Sequence, residues 1–149
     1  AGLYERLRET ANEWFASRQA PGLAPTLEGF HRRCREAGQR RGSCILLCYG
    51  EGGVNHPHRD IYGSVWFPLQ ALVVLSRRGR DFEGGDFVLF EEGARRVRRP
   101  VAADRGDLVV FASRDRPARG GARVPLRHGM DRVSRGERFA LGIVLHLAK

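Results

Sequence analysis

The chain has 149 residues, of which 42% are hydrophobic, a composition typical of one globular domain with a buried core. This composition excludes wholesale disorder, and no apolar stretch reaches the roughly 20 residues that cross a bilayer. The net charge is +9 and comes almost entirely from arginine, because Lys149 is the only lysine. Two explanations stay open. The gene is GC-rich and favours arginine codons, or the protein has a polyanionic partner whose phosphates are bound by guanidinium groups.

The first third of the chain has helical periodicity. Apolar residues recur at intervals of three and four, which predicts a helix: Leu3, Leu7, Ala11, Trp14 and Phe15. Pro21 and Pro25 interrupt the pattern, and Thr26 is a candidate N-cap for a second helix that Gly38 would end. The apolar stripe of that second helix consists of Leu27, Phe30, Cys34 and Ala37. We expect residues 1–42 to be a helical support.

From Ser43 onward the pattern changes to β-rich runs separated by Gly and Asp clusters. The predicted strands are 44–49, 65–76, 86–92, 107–113 and 138–148. Several strands without helices between them indicate an antiparallel sandwich or barrel. We therefore expect one domain over 1–149, with 43–149 as its β core. Because the chain begins with Ala1 rather than Met, it is also compatible with an N-terminally truncated fragment.

The three cysteines predict the redox environment. An odd number without a Cys-x-x-Cys pair argues against a disulfide framework and against a structural zinc site. Cys44 and Cys48 lie on one face of an apolar run, so we expect them to be buried free thiols. This interpretation favours a reducing, cytoplasmic location.

The stretch NHPHRDIYG, residues 55–63, predicts half of a metal site. Alternate side chains of a strand share a face, so His58 and Asp60 would point the same way while Arg59 points out. An imidazole, a carboxylate and one distant histidine would form the two-histidine, one-carboxylate face that binds ferrous iron and leaves three positions open. His56 is a rival ligand, but a position at the rim or behind the ligands suits it better. The alternative to a metal site is an ordinary polar end of a strand.

A second segment, RHGMDRVSRGERFALGI, supplies the missing partners. His128 opens it, and Arg138 follows ten positions later at the start of an apolar strand. Burying an arginine there is costly unless an anion pairs with it, and a bound dicarboxylate would be such an anion. The alternative is an arginine on the surface, which is common in a chain with this composition.

The order His-x-Asp, long β segment, His, ten-residue step and Arg resembles the non-haem Fe(II)- and 2-oxoglutarate-dependent dioxygenases. That resemblance implies a mainly β, double-stranded β-helix (jelly-roll, cupin-like) core with two supporting N-terminal helices. The motifs YGEGGVNHPHRDIYG, FPLQALVVLS, DFEGGDFVL and RHGMDRVSRGERFALGI are most similar to one bacterial family. It is described as catalysing oxidative demethylation of damaged DNA, by analogy with AlkB-like repair enzymes, and is also prolyl-hydroxylase-like. Its members are longer at the N-terminus.

The resemblance implies a role for each matching residue. His58, Asp60 and His128 would be the catalytic iron ligands, and Arg138 would hold the distal carboxylate of 2-oxoglutarate. Tyr49 matches a tyrosine that hydrogen-bonds this cosubstrate, and dioxygen would be the oxidant. The chain departs from the family pattern at Pro125 and Leu147, neither of which is a ligand.

Three functions are compatible with these residues. The first is an oxygenase that demethylates alkylated nucleic acid, DNA or RNA. The second is an oxygenase that hydroxylates a protein or peptide, for example at proline. The third is a β-barrel that binds a partner without turnover, although a binding module needs neither the three ligands nor Arg138. Oligomeric state has no signature in the sequence.

The net charge favours nucleic acid over peptide. The basic runs RRVRR, 95–99, and RDRPARGGAR, 114–123, suit a phosphate backbone, but each also suits a solvated surface. The second run contains enough glycine to form a mobile loop. A base-modifying enzyme must also stack its extruded base. The candidates for this stacking wall, the aromatic side chains on which the base would stack, are Tyr62, Trp66 and Phe111, although aromatic residues in β runs more often belong to the core.

Overall fold

The computed structural model describes residues 2–16 and 20–149. Two α-helices occupy its first part, α1 over Gly2–Ala16 and α2 over Leu27–Glu36. Thr26 caps α2 as predicted, because its Oγ1 accepts a hydrogen bond from the Gly29 N–H at 3.1 Å. Gly38 follows the end of α2 with φ of +79°, a conformation that glycine adopts without strain. None of the described helices is long and apolar enough to span a bilayer.

Among the described residues, eleven strands follow the helices. In chain order they are β1 Ile45–Tyr49, β2 Asn55–His58, β3 Leu69–Val74, β4 Phe82–Gly84, β5 Phe87–Glu92, β6 Arg96–Val101, β7 Leu108–Ala112, β8 Asp115–Pro117, β9 Arg123–Met130, β10 Val133–Gly136 and β11 Arg138–Val144. A 3-10 turn, Arg119–Gly121, lies between β8 and β9.

The strands form an antiparallel β sandwich. A four-stranded sheet has the order β1-β11-β3-β7, and a five-stranded sheet has the order β2-β9-β5-β6 with β8 also pairing with β9. Side chains of the two sheets pack together in one core cluster, as Leu72 and Phe111 of the first sheet do with Phe87 of the second. Strands β4 and β10 form a separate two-stranded ribbon. The predicted mainly β fold with two helices is confirmed.

The helices pack on the outer face of the four-stranded sheet, at one end. Tyr4 of α1 lies with its ring centroid 5.2 Å from that of Phe67, and Phe15 meets Trp66 edge-on at 5.4 Å. Leu69 of β3 and Leu145, which follows β11, belong to the same cluster. The helices therefore cover only the end of the sheet where β3 starts and β11 ends.

The predicted burial of Cys44 and Cys48 was wrong, whereas the prediction that they are free thiols is confirmed. Cys34 is buried in the helical cluster, but Cys44 and Cys48 are exposed. β1 is an edge strand, and its outward side chains lie beyond the part of the sheet that the helices cover. Leu46, between the two cysteines, is 66% exposed for the same reason.

Several strands escaped prediction. β6 and β9 contain many arginines and few consecutive apolar residues, so their sequences lack a strand signature. They form because β5 pairs with both of them, over six residues with β6 and five with β9. The basic run 114–123, for which a mobile loop is one of the predicted alternatives, contains β8, which pairs with β9.

Candidate active site

The pairing of β2 with β9 brings two of the predicted ligands together. His58 lies directly opposite His128, and their ring centroids are 4.3 Å apart. β2 ends at His58, so Asp60 lies in the segment after the strand rather than on it. The Asp60 carboxylate nevertheless faces both rings, with Oδ1 3.4 Å from His58 Nε2 and Oδ2 3.1 Å from His128 Nε2. One ligand atom from each residue lies within 4.8 Å of the other two.

The donor set suits a divalent iron. His58 Nδ1 lies 2.8 Å from the His56 carbonyl oxygen, which only accepts, so Nδ1 carries a proton and Nε2 is the nitrogen directed to the site. His128 Nδ1 lies 3.3 Å from the Gln70 side-chain nitrogen, and rotation of this amide by half a turn presents an acceptor instead. Two imidazoles and one carboxylate on one side of a cation are the ligands that non-haem Fe(II) takes.

The carboxylate is held ionised. Burial opposes the charge of Asp60, but hydrogen bonds from Nε2 of His128 and His58 and from Tyr62 outweigh it and hold the pKa of Asp60 well below its usual value; a metal would take the place of the two Nε2 protons. The Tyr62 hydroxyl donates to Asp60 Oδ1 at 2.6 Å. The Asp60 hydrogen bond raises the pKa of His58, whereas deeper burial lowers the pKa of His128. A neutral His128 and an ionised Asp60 are the protonation states that a metal needs.

A cavity of about 80 Å³ connects this triad with the other predicted residues. Tyr49, His58, Asp60, His128 and Arg138 all line it. Both sheets therefore contribute, since Tyr49 and Arg138 are paired across β1 and β11 of the four-stranded sheet. The structure brings together every residue that the sequence predicted for the metal and the cosubstrate.

Arg138 is a buried cation in this cavity. It is 3% exposed, and within the described part of the chain its Nε has no hydrogen-bond partner. Burial lowers the pKa of Arg138, which measures how unfavourable an isolated charge is there. The Tyr49 hydroxyl accepts a hydrogen bond from Asn55 Nδ2 at 3.0 Å, so its own O–H is free to donate. A buried guanidinium whose Nε–H has no acceptor is suited to bind a carboxylate.

The predicted stacking wall is only partly present. Phe111 lines the cavity, with its ring centroid 4.8 Å from that of His128. Tyr62 instead holds Asp60, and Trp66 packs against Phe15 in the helical cluster. His56 has an exposed side chain and acts through its carbonyl, in agreement with a position behind the ligands.

Two polar residues near the triad were missed. Gln70 contacts His128 from β3, and its signal was a lone amide inside the apolar run FPLQALVVLS. His146, which follows β11, is 1% exposed, and its Nδ1 accepts a hydrogen bond from the Phe67 N–H at 3.3 Å. Burial lowers the pKa of His146 to about 4, so this imidazole is neutral at physiological pH.

Solved structures show the same fold. An oxidoreductase of the 2OG-Fe(II) oxygenase family from Burkholderia pseudomallei has a TM-score of 0.53 and 21% identity, covering 70% of this chain and 43% of that one. A prolyl-4-hydroxylase from Pseudomonas putida has a TM-score of 0.50 and 24% identity, covering 73% of this chain and 54% of that one. The predicted jelly-roll fold is thereby confirmed.

Sequence relatives extend over nearly the whole chain. Uncharacterized proteins from two strains of Mycobacterium tuberculosis, CDC 1551 and H37Rv, are each 38% identical over 151 aligned residues, 97% of this chain. The chain spans 64% of the length of these relatives. A family model described as "Oxygenase, catalysing oxidative methylation of damaged DNA" matches residues 1–148. The chain therefore belongs to this oxygenase family, as its motifs predicted.

Proposed function

We propose that the chain is the catalytic domain, residues 1–149, of a cytoplasmic Fe(II)- and 2-oxoglutarate-dependent dioxygenase. The observation that carries the proposal is the convergence of His58, Asp60 and His128 in the same cavity as the buried Arg138. A module that only binds a partner has no use for three metal ligands beside an open buried cation. When bound, iron and 2-oxoglutarate supply the oxidation of a substrate C–H bond by dioxygen.

Each residue has a defined task in this proposal. His58, Asp60 and His128 hold one side of the iron, and Asp60 offsets part of its charge. Arg138 pairs with the distal carboxylate of 2-oxoglutarate, and this anion supplies the partner that the guanidinium lacks. The Tyr49 O–H donates to the same carboxylate. Phe111 and Phe87, whose ring centroids are 4.8 Å apart, keep water out of the cavity.

The proposed substrate is alkylated nucleic acid, DNA or RNA. The family description points to damaged DNA, and the charge of +9 suits a phosphate backbone. Hydroxylation of an N-methyl group gives a hemiaminal, which loses formaldehyde and restores the base. Demethylation of a base would therefore follow from the same C–H oxidation.

Hydroxylation of a protein or peptide is the second candidate. The fold shared with a Pseudomonas putida prolyl-4-hydroxylase is the observation that favours it. Both candidates use the same triad and the same cosubstrate, so they differ only in what reaches the cavity. The charge of the surface favours the first.

Succinate release tests the proposal. The protein with Fe(II), 2-oxoglutarate and dioxygen is screened against methylated oligonucleotides and proline-containing peptides. We expect a methylated oligonucleotide to stimulate release and Asp60→Ala to abolish it, with Asp131→Ala as the matched control. Asp131 is a half-exposed aspartate paired with Arg98 and lies outside the cavity. Full turnover by Asp60→Ala would contradict the ligand assignment, and stimulation by peptides alone would contradict the nucleic-acid substrate.

A further inference from the structure

Arginines concentrate at one end of the five-stranded sheet. We define the arginine rim as Arg59, Arg96, Arg99, Arg116 and Arg127. Arg59 follows the end of β2, Arg96 begins β6, and Arg116 lies on the short strand β8, while Arg99 and Arg127 lie within β6 and β9. The four-stranded sheet has no arginine on β1, β3 or β7, and β11 carries only Arg138. The rim is therefore a local feature of one sheet and not a consequence of composition alone.

Two glutamates at the end of β5 orient four of these arginines. Glu91 Oε1 lies 2.8 Å from Arg99 Nε, and Glu91 Oε2 lies 3.2 Å from Arg116 Nη2. The hydrogen bond from Arg99 is the main reason that the pKa of Glu91 lies below its usual value, so Glu91 stays ionised. It fixes two guanidinium groups side by side while it neutralises only one of them.

Glu92 repeats the arrangement on the opposite face of the strand. Its Oε2 lies 2.6 Å from Arg59 Nη2, and its Oε1 lies 3.0 Å from Arg127 Nη2. Arg59 is fixed further by a hydrogen bond of 2.7 Å from its Nε to the Leu126 carbonyl. Arg96, the fifth member, has no ion-pair or hydrogen-bond partner in the described part of the chain. Five arginines against two glutamates leave the rim with a charge of +3.

The rim lies next to the proposed metal triad. Leu89 is paired with His128 on one side and with Arg99 on the other, so both share one inward row of the sheet. Glu91 lies one inward row further along β5, about 7 Å away by strand geometry. The exposed fraction rises in this direction, from 8% for the His128 side chain to 38% for Arg116 and 56% for Arg99. Arg99 and Arg116 therefore lie on the cavity side of the sheet, beside the inward-facing Glu91, whereas Arg59, Arg96 and Arg127 lie on its outer face.

On the outer face of the sheet, an apolar side chain lies among the charged ones. Phe90 lies in the cross-strand row next to Arg127, and a groove of about 230 Å³ runs over it. Pro57, Arg96 and Arg127 also line this groove. A positively charged groove with an aromatic side chain in it is how proteins bind single strands, because phosphates meet the cations and bases stack on the ring.

We infer that the arginine rim binds the sugar–phosphate backbone of a single-stranded nucleic acid whose modified base enters the cavity. This inference rests on the proposed oxygenase function. Guanidinium groups bind phosphates through paired hydrogen bonds, and the shared glutamates leave most of their donors unused. A phosphodiester chain offers one anion per nucleotide to such a row, whereas a peptide offers anions only where it is acidic.

Fluorescence anisotropy with a labelled single-stranded DNA oligonucleotide tests the inference directly. We expect binding to weaken with salt, and Arg99→Gln/Arg116→Gln to weaken it about tenfold or more at low salt. The slope of log K against log salt should fall by about 1.4 in this double variant, because two phosphate contacts are lost. Glutamine keeps a donor for Glu91, and thermal unfolding monitors the fold.

The matched control removes the same charge elsewhere. Arg80→Gln/Arg135→Gln alters two exposed arginines beside the β4–β10 ribbon, each paired with a single acid, Asp81 and Glu83. This control should change affinity by no more than about twofold. Glu91→Gln releases Arg99 and Arg116 and should tighten binding. Equal weakening in the control and the rim variant, or weaker binding by Glu91→Gln, would overturn the inference.

Two further measurements separate this inference from the proposed function. Decarboxylation of 2-oxoglutarate by the Fe(II)-loaded protein without oligonucleotide reports on the triad alone. If decarboxylation occurs but the oligonucleotide does not bind, the inference about the arginine rim is wrong and the proposed oxygenase function is supported. If the rim binds DNA but 2-oxoglutarate is never consumed, the proposed oxygenase function is wrong and DNA binding by the arginine rim is supported. Equally tight, equally rim-dependent binding of poly-glutamate would overturn a specific phosphodiester site.

Discussion

The two sheets that enclose the cavity differ in almost every chemical property. The four-stranded sheet is apolar on its inner face, where Leu72 and Ala140 are buried, and it exposes Leu46 and Leu108 on its outer face. Among the described strands of this sheet, Arg138 is the only basic residue. The five-stranded sheet carries His58 and His128 and ends in a row of arginines. One wall therefore offers a dry surface with a single buried charge, and the other offers metal ligands and a cationic edge.

This difference indicates that the two sheets have different tasks, the binding of an anion and the binding of a metal. A buried charge is costly, so Arg138 needs a surrounding wall without other charges, and an incoming anion then gains from a low local dielectric. The ligands need the opposite environment, because Asp60 and the imidazoles stay in the right protonation states through hydrogen bonds. The cavity works only where the two walls face each other.

The largest expected effect tests the apolar wall. Phe111→Ala should lower the free energy of unfolding by about 4 kcal/mol, because a buried ring in contact with Phe87 and His128 leaves a cavity. Leu46→Ala, on the exposed outer face of the same sheet, should cost less than about 0.5 kcal/mol. Urea denaturation followed by circular dichroism measures both. Equal costs would mean that the outer face is as well packed as the inner face.

The second prediction concerns the one charge in that wall. Arg138→Gln should raise the KM for 2-oxoglutarate about a hundredfold, because a buried charge-assisted contact to the distal carboxylate is lost. Arg138→Met should at the same time raise the free energy of unfolding without cosubstrate by about 1 kcal/mol, because a buried cation with an unpaired Nε disappears. Steady-state kinetics and urea denaturation measure these effects, with the exposed Arg105→Gln as control. An unchanged KM would remove Arg138 from the cosubstrate site.

The sequence predicted the two walls unequally. Strands β3, β5, β7 and β11 each contain a run of apolar residues, and their presence was predicted because burial on the inner face demands such residues. β6 and β9 gain their structure from pairing with β5, a long-range contact that no local pattern contains. The exposure of Cys44 and Cys48 depends on how far the helices extend over the sheet, which is also a tertiary property.

The candidate site was predictable to a similar degree. His58, Asp60, His128 and Arg138 could be identified because their order and spacing follow a family motif. Their convergence required the β2–β9 register, which only the structure gives. The supporting contacts of Tyr62 and Gln70 were out of reach, because a loop tyrosine and a strand glutamine have many alternative partners.

The third prediction tests the neutral imidazole behind the four-stranded sheet. Burial holds the pKa of His146 at about 4, whereas an unfolded histidine has a pKa of about 6.5. The unfolded chain therefore binds the proton more tightly, so protein stability falls as pH drops below about 6.5 and levels off below about 4. At pH 5 this term alone lowers the free energy of unfolding by about 2 kcal/mol relative to pH 8.

His146→Asn isolates this term from those of the other histidines. Asparagine keeps an acceptor for the Phe67 N–H but does not titrate. The difference in unfolding free energy between the protein and the variant should therefore shrink by about 2 kcal/mol from pH 8 to pH 5. Urea titrations at both pH values measure it. A difference that is independent of pH would mean that His146 has the same pKa in the folded and the unfolded chain.

The smallest predicted effect lies on the ligand side of the cavity. Tyr62→Phe removes the 2.6 Å hydrogen bond to Asp60 Oδ1 but keeps the ring near His146. Because partners of this kind orient metal ligands, the affinity for Fe(II) should fall about tenfold. Calorimetric titration with Mn(II) under nitrogen measures the loss without turnover. Gln70→Leu, which removes the contact to His128 from the opposite wall, should have an effect of similar size; if only Tyr62→Phe weakens metal binding, the ligands are oriented by the five-stranded side alone.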